Sequence, residues 1–219
     1  MVRSTKKMVG PIENGKGSAP SRLSGPERRD QLLDIALELF SEYGYIQTSV
    51  GDIAKKAGVT KPIIYQHFDS KKALYMELLE RVGEQLLSEI NAATSKAKTP
   101  RGQVELGFSA YFQYVSQYES SFYLLFGTGG KRDDEFSEVA RKVEETMARA
   151  VASLIEAGIS SQHRLMLAYG IVGLAESTSR KWLTSRHIDY EDSLPADPDV
   201  LARWVGEIAW GGLRGITKD

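Results

Sequence analysis

The stretch that decides the fold is TSVGDIAKKAGVTKPIIYQHF, residues 48–68. Its first half spaces apolar residues at i, i+3, i+4 and i+7, the pattern of one helix face. These residues are Val50, Ile53, Ala54 and Ala57. Ser49 or Thr48 can cap the N-terminus of this helix, and Gly58 suits the left-handed conformation that ends it. A helix of about two turns is not stable alone, so we expect it to pack between neighbours.

The second half predicts another short helix with a polar outer side. Thr60 is the expected N-cap, and Pro62 fits a first turn, where proline costs no intrahelical hydrogen bond. Ile64 and Phe68 are four residues apart and are expected to face inward. The other sides carry Lys61, Ile63, Gln66 and His67. Two short helices joined at Gly58 are typical of a helix-turn-helix unit, whose second helix enters the DNA major groove. The alternative is a helical hairpin that only packs.

Further motifs surround this unit. The first helix, which we expect to begin at Pro26 and stop at Gly44, closes with A-x-x-L-F-x-x-x-G-Y. The second short helix ends in Y-x-H-F, and the next helix opens with S-K-x-x-L. From Arg29 to Leu79 the chain resembles the N-terminal domain of the TetR family of bacterial transcriptional regulators. The later pattern W-V-x-x-I-A-W-G-G-L is similar to a group of actinobacterial members.

The resemblance implies a set of residues at the DNA. This set is Thr48, Ser49, Lys61, Pro62, Ile63, Tyr65, Gln66, His67 and Lys71. Thr48, Tyr65 and Lys71 are the implied phosphate contacts, and the remaining residues of the second short helix lie near base edges. The chemistry agrees with this, because glutamine can bond adenine through both of its groups and apolar side chains can contact a thymine methyl. Gly51 and Ile63 depart from the family pattern, which favours methyl contacts and DNA shape over hydrogen-bond readout there.

The N-terminal segment predicts a disordered basic arm over residues 1–24. It is made largely of Gly, Ser, Pro and Thr, compositions that do not build a core. Its basic residues are Arg3, Lys6, Lys7, Lys16 and Arg22, against Glu13 alone. Such an arm can neutralise DNA phosphates, although a basic tail can equally be an ordinary solubilising extension.

The composition excludes several classes of site. The chain has 219 residues, a net charge of −1, no cysteine and three histidines without metal-binding spacing, so neither disulfides nor a metal centre is expected. No motif indicates a catalytic centre or a bound cofactor. The N-terminus lacks the apolar segment of a secretory signal, and no run of about 18 apolar residues occurs. We therefore expect a cytoplasmic protein that is not an enzyme.

The remaining chain predicts an all-α fold of about nine helices in two domains. The DNA-binding domain is expected over residues 25–70, and a ligand-binding and dimerisation domain over residues 71–219. A long fourth helix from Ser70 to about Thr94 joins them. At about 1.5 Å per residue it spans roughly 36 Å, which suits a lever between the two domains.

Aromatic residues predict a ligand cavity in the second domain. The candidates are Phe108, Tyr111, Phe112, Phe122, Tyr123, Phe126, Met147 and Trp182. Ligand cavities are mostly apolar with a few polar groups, and members of the resembled family bind small molecules in this domain. A hydrophobic or amphipathic ligand is therefore expected. The alternative is that these side chains simply fill a core.

The last two helices predict a homodimer interface. One carries small residues and the other carries bulky apolar anchors, which are enriched in interfaces. The candidates are Gly170, Gly173, Trp204, Ile208 and Trp210. The two tryptophans could instead belong to the monomer core. Three functions follow from the whole chain: a ligand-responsive dimeric repressor of a palindromic DNA operator, an architectural DNA-binding protein without a ligand, and an all-helical enzyme.

Overall fold

The computed structural model describes residues 23–126, 134–155, 158–185 and 194–216, which form nine α-helices and no strand. The helices are α1 (Gly25–Gln47), α2 (Val50–Ala57), α3 (Lys61–Tyr65), α4 (Lys71–Thr94), α5 (Pro100–Gln117), α6 (Glu119–Phe126), α7 (Asp134–Leu154), α8 (Ser161–Ser185) and α9 (Pro198–Leu213). The predicted all-α fold is confirmed. Residues 1–22 of the predicted basic arm lie outside the described residues.

Helix α1 begins with a capping box and bends near its end. The Ser24 side chain accepts a hydrogen bond from the Glu27 amide, and the Glu27 carboxylate accepts one from the Ser24 amide. Gly44 has φ 77°, a left-handed value that glycine adopts without strain. The predicted stop at Gly44 is therefore a break in the helix, after which one short turn continues to Gln47. The inner face buries Leu32, Leu33, Ala36, Leu39 and Phe40.

Helices α2 and α3 form the predicted helix-turn-helix. Ser49 caps α2 and is part of a second capping box, with Asp52. Gly58 ends α2 with φ 66°. Thr60 occupies the N-cap position of α3, as predicted, although its side chain makes no capping hydrogen bond. Pro62, whose φ is already helical, is the residue that favours the start of this helix of only five residues.

Helix α4 connects the three-helix unit α1–α3, called here the reading head, to the rest of the chain. It has 24 residues, and the Ser70 side chain caps it by accepting from the Ala73 amide. It packs against α1 near its start and against α5 and α7 further along. Arg29 of α1 forms a bidentate ion pair with Glu77 of α4, and its guanidinium lies 4.6 Å from the centre of the Phe68 ring.

Helices α5 to α9 build a bundle around α4. Helix α5 packs along both α4 and α9, and α7 packs against α8. Helix α6 contacts α1, α4 and α5, so it fills the junction between the reading head and the bundle. Among the described residues, no helix is long and apolar enough to cross a bilayer.

Candidate functional site

The outward face of α3 is the polar surface of the reading head. Ile64 is only 1% exposed and fixes the helix on its inner side. Lys61, Pro62, Tyr65 and Gln66 are exposed. Ile63 and His67, which complete the predicted DNA-facing set of this helix, are half-buried. The local apolar pattern thus positions these side chains together, as the sequence predicts, and whether they contact DNA remains a prediction.

The start of α2 lies beside Lys61. A β-carbon added to Gly51 would lie 3.0 Å from Cε of Lys61, so the lysine side chain passes directly over the glycine. Ser49 and Asp52 are exposed at the same helix end. Hydrogen bonds from Ser49 lower the pKa of the Asp52 carboxyl, which keeps it charged as a cap. Gly51, which departs from the family pattern in the sequence, leaves room for the Lys61 side chain.

Thr48 is placed differently from its prediction as a phosphate contact. It is 2% exposed, and its hydroxyl lies 3.1 Å from the carbonyl oxygen of Leu39 and 2.9 Å from that of Gly44. Its single proton is therefore used inside the protein. The Thr48 side chain holds the end of α1 and is not available to a phosphate, which corrects the prediction for this residue.

Lys71, the other phosphate contact from outside α3, is half-buried at the start of α4. Its ammonium donates to the carbonyl oxygens of Tyr45 at 2.7 Å and Thr48 at 2.9 Å. It also lies 4.1 Å from the centre of the Tyr45 ring. Burial lowers the pKa of the Lys71 amine. An ammonium has three protons, so a phosphate contact through the third stays a prediction beside this structural role.

A cavity of about 310 Å³ lies in the bundle between α4, α5, α7, α8 and α9. Of the eight predicted ligand residues, Phe108, Tyr111 and Met147 line it. The rest of the wall is mainly aliphatic, with Ile90 of α4 and Val151 of α7 among its members. These aliphatic residues were missed because sequence reasoning followed the aromatic residues. The signal for Ile90 was present, since it continues the apolar stripe of α4 to its C-terminal end.

The other five predicted ligand residues do not line this cavity, and the prediction is corrected for them. Four form solid core: Phe112, Phe122, Phe126 and Trp182. Tyr123 is 38% exposed on the outer side of α6. For the three of these residues that lie on α6, the physical reason is the position of this helix, which packs against α1 of the reading head. Trp182 is held in the core by a hydrogen bond from its ring nitrogen to the Pro195 carbonyl oxygen, at 2.8 Å.

The outward sides of α8 and α9, named the outer face of α8 and α9, each expose apolar or small residues. Trp204 is 48% exposed and Ile208 is 64% exposed, while Gly170 and Gly173 are exposed with open space above them. Trp210 differs from the prediction, because it lines the cavity and is only partly exposed. Two exposed apolar residues of the face, Met166 and Tyr169, were missed by sequence reasoning.

Comparison with known proteins agrees with the geometry of the reading head. Residues 32–78 match the model of bacterial regulatory proteins of the tetR family. Over 198 residues the chain is 30% identical to the HTH-type transcriptional activator FasR of Mycolicibacterium smegmatis, covering 90% of this chain and 87% of that protein. This chain belongs to the TetR family.

Solved structures of TetR-family regulators share the fold. A TetR-like transcriptional regulator from Rhodococcus sp. RHA1 has a TM-score of 0.72 and 25% identity, covering 89% of this chain and all (100%) of the other. The regulator FadR of Bacillus subtilis, solved in complex with stearoyl-CoA, has a TM-score of 0.69 and 18% identity over 86% of this chain and 99% of its own. TetR-family proteins regulate transcription by binding DNA, so the enzyme alternative is set aside.

Proposed function

We propose that this TetR-family regulator is a homodimer that binds a palindromic DNA operator in the cytoplasm and is released from it by a hydrophobic or amphipathic small molecule. The observation that carries the proposal is the combination of an exposed polar α3 face with an apolar cavity, both connected to α4. An architectural DNA-binding protein has no need for the cavity. The two features together favour a regulator whose DNA binding responds to a ligand.

The proposed DNA contacts divide into two classes. Gln66, with Lys61 and His67 beside it, is assigned to base edges in the major groove, where glutamine can bond adenine through two hydrogen bonds. Tyr65, Ser49 and the third proton of Lys71 are assigned to phosphates, which fix the position of the head without reading sequence. Pro62 and Ile63 are assigned to apolar contact with thymine methyl groups.

The proposed dimer uses the outer face of α8 and α9. A palindrome presents two half-sites about 34 to 36 Å apart, so two reading heads are needed. The exposed Trp204 and Ile208 of α9, beside the open glycines of α8, are suited to a symmetric four-helix contact with a second copy. Large exposed apolar side chains that lie together on one face indicate an interaction surface.

The proposed effector occupies the cavity of the bundle. Its walls are mainly apolar, and the cavity falls at the lower end of the range of about 300 to 1,000 Å³ for small-molecule sites. FadR of Bacillus subtilis was solved with stearoyl-CoA, and the shared fold supports a small-molecule ligand for this chain as well. The residues assigned to the ligand are Phe108, Tyr111 and Met147.

The sign of regulation follows from where the operator lies. A dimer bound across a promoter represses it, whereas the same dimer bound upstream can activate. The Mycolicibacterium smegmatis relative is named a transcriptional activator. We propose repression relieved by the effector. Expression of a reporter fused to the bound promoter should rise in a strain that lacks the protein. A fall in reporter expression would show that the protein activates this promoter.

The experiment is a selection of genomic DNA fragments on the purified protein, followed by salt-titrated binding to the selected and to scrambled DNA. A regulator should prefer the selected fragment by about 10³-fold or more at physiological salt. The control is Gln66→Ala, which should lose much of that preference while keeping the salt dependence of phosphate binding. Equal binding to selected and scrambled DNA would support the architectural alternative.

A further inference from the structure

The apolar cavity reaches solvent at one end. Its inner part is formed by buried side chains, among them Tyr111 and Met147. Its other end is formed by the last turn of α4, the first turn of α5 and the C-terminus of α9, where Pro100 and Arg214 are exposed. Helix α4 starts beside the reading head, so this mouth of the cavity lies at the opposite end of α4.

Arg214 is the one charged residue in the cavity wall, among the residues that the structure describes. It follows α9 directly as the C-cap residue, and its guanidinium forms no ion pair with another described residue. Gln103 is a half-buried part of the same wall and comes from α5, the helix that packs along α9. A positive charge at the edge of an apolar wall favours a ligand that brings the opposite charge.

The hydroxyl groups of the wall are less suited to a ligand than these two side chains. Thr94 donates its proton to the Ile90 carbonyl oxygen of its own helix at 3.0 Å. The hydroxyl oxygen of Tyr111 is buried, so it is not exposed to the interior of the cavity. The polar recognition in this cavity is therefore expected at the mouth, and apolar contact is expected in the inner part.

A polar groove adjoins the cavity at this mouth and limits the size of the charged group. Trp210 and Arg214 line both the cavity and the groove. The groove carries as many carboxylates as guanidinium groups: Arg101, Arg203, Arg214, Glu105, Asp199 and Glu207. The Arg101 guanidinium is already paired with Glu105 at 2.7 Å. The charges of the groove are thus balanced, which suits a small group with one negative charge and disfavours a polyanion.

We propose that the cavity binds a straight-chain carboxylic acid, whose apolar tail lies in the buried part and whose carboxylate is held at the mouth by Arg214 and Gln103. This inference rests on the proposed effector cavity and names the class of ligand it takes. A guanidinium and a carboxylate form two parallel hydrogen bonds, and a glutamine amide donates a further one.

Other head groups on the same tail fit this mouth less well. A cationic group is repelled by Arg214, and an alcohol gains a hydrogen bond without a charge pair. The polyphosphate of a coenzyme A ester would lie beside the carboxylates of Asp199 and Glu207, and like charges placed together oppose binding. The order of affinity among head groups is therefore a direct test of the inference.

The test compares four ligands with a ten-carbon chain by calorimetry on the full chain: decanoate, decan-1-ol, decyltrimethylammonium and decanoyl-CoA. We expect decanoate to bind roughly 10-fold more tightly than each of the others at low salt. Its advantage over decan-1-ol should shrink as salt is raised, because an ion pair at an exposed mouth is screened. The salt series uses the unaltered protein, so it does not depend on how a variant folds.

Substitutions at two arginines of α9 and its C-cap locate the charge. Arg214→Met should bind decanoate and decan-1-ol with nearly the same affinity, and its unchanged affinity for decan-1-ol would show that the cavity is intact. Arg214→Lys should keep part of the preference, because lysine retains the charge without the paired hydrogen bonds. Arg203→Met is the matched control: Arg203 is also exposed and lines the groove but not the cavity, so the full preference should remain.

The outcomes separate this inference from the proposed function. The inference is overturned if decanoate and decan-1-ol bind alike at low salt, if Arg214→Met keeps the preference for decanoate, or if decanoyl-CoA binds more tightly than decanoate. In each of these cases the cavity remains an effector site of another selectivity. If decanoate binds through Arg214 but leaves operator affinity unchanged, the carboxylate site stands and its role as an effector site is contradicted. If none of the four ligands binds, both are contradicted.

Discussion

At the scale of single residues, Gln66 is the side chain whose exposure and chemistry best suit base recognition. We expect Gln66→Ala to lose about 1–3 kcal/mol on the preferred operator and to relax base preference at one position of each half-site. Tyr65→Phe, the control, removes only the assigned phosphate contact, so it should weaken all operator variants alike. Competition binding to a set of single-base operator variants measures both. An unchanged base preference in Gln66→Ala would remove it from the base-reading set.

Lys71 gives a prediction about stability at the same scale. Its ammonium bonds two carbonyl oxygens at the end of α1, so Lys71→Met should leave these acceptors without a donor and cost about 1–3 kcal/mol of unfolding free energy. Lys55→Met, on the exposed side of α2, is the control and should cost little. Urea unfolding measures the difference. If both variants unfold alike and only DNA binding falls, Lys71 acts on phosphate alone.

Sequence reasoning reached the α3 face because that face follows from contacts four residues apart. Ile64 and Phe68 fix which sides point outward, and both lie in the segment that was read. Thr48 and Lys71 could not be placed in this way. Lys71 donates to carbonyl oxygens 26 and 23 residues away in sequence, and Thr48 follows the non-helical Gly44, where the helical periodicity no longer holds. Nothing in the local pattern tells a phosphate-binding lysine from one that holds a helix end.

At the scale of helices, the packing of α4 against α7 includes a close approach at Gly83. A β-carbon on Gly83 would lie 2.7 Å from Cγ2 and 3.0 Å from Cγ1 of Val143. One turn after Val143, Met147 lines the cavity, and Ile90 of α4 lines it from the other side. The contact therefore lies where a displaced α7 would press on α4, between the cavity and the reading head.

This contact predicts a pair of compensating substitutions. Gly83→Ala should push α4 away from α7, cost about 1–3 kcal/mol of stability through overpacking, and weaken operator binding without any effector. Adding Val143→Ala removes both clashing methyl groups and should restore operator affinity, while Val143→Ala alone should leave it nearly unchanged. Operator titrations and unfolding curves of the three variants test this. If the double variant binds operator as weakly as Gly83→Ala, the Gly83–Val143 contact does not link the cavity to the reading head.

The helices could be predicted from the sequence, because the N-cap residues, the spacing of apolar residues and the terminal glycines all indicate the same helical segments. The cavity was only partly predictable. The sequence predicted its aromatic wall residues on α5. Phe122 and Phe126 of α6 were also assigned to the cavity, because they follow α5 closely in sequence. The packing of α6 on α1 is a tertiary contact that periodicity does not encode. Because of this packing, the apolar residues of α6 lie in the core and not in the cavity wall.

At the scale of the whole molecule, the proposed dimer decides whether the two reading heads can act together. The outer face of α8 and α9 exposes Trp204 and Ile208 side by side, and a charge there would be buried without a partner in a dimer. We expect Ile208→Glu to yield a folded monomer with an unchanged helical circular dichroism spectrum. Sedimentation velocity measures the change in mass.

The loss of the dimer has a consequence for DNA that a local surface defect does not have. A monomer contacts one half-site, so the Ile208→Glu variant should lose most of its operator affinity while retaining weak binding to a single half-site, and its salt dependence should fall because fewer phosphates are contacted. Leu106→Glu is the control, because Leu106 is exposed on α5 and belongs to neither α8 nor α9, and this variant should remain dimeric. Should Ile208→Glu stay dimeric with full operator affinity, the two copies must join through another surface, and the spacing of the reading heads would have to be set elsewhere than at α8 and α9.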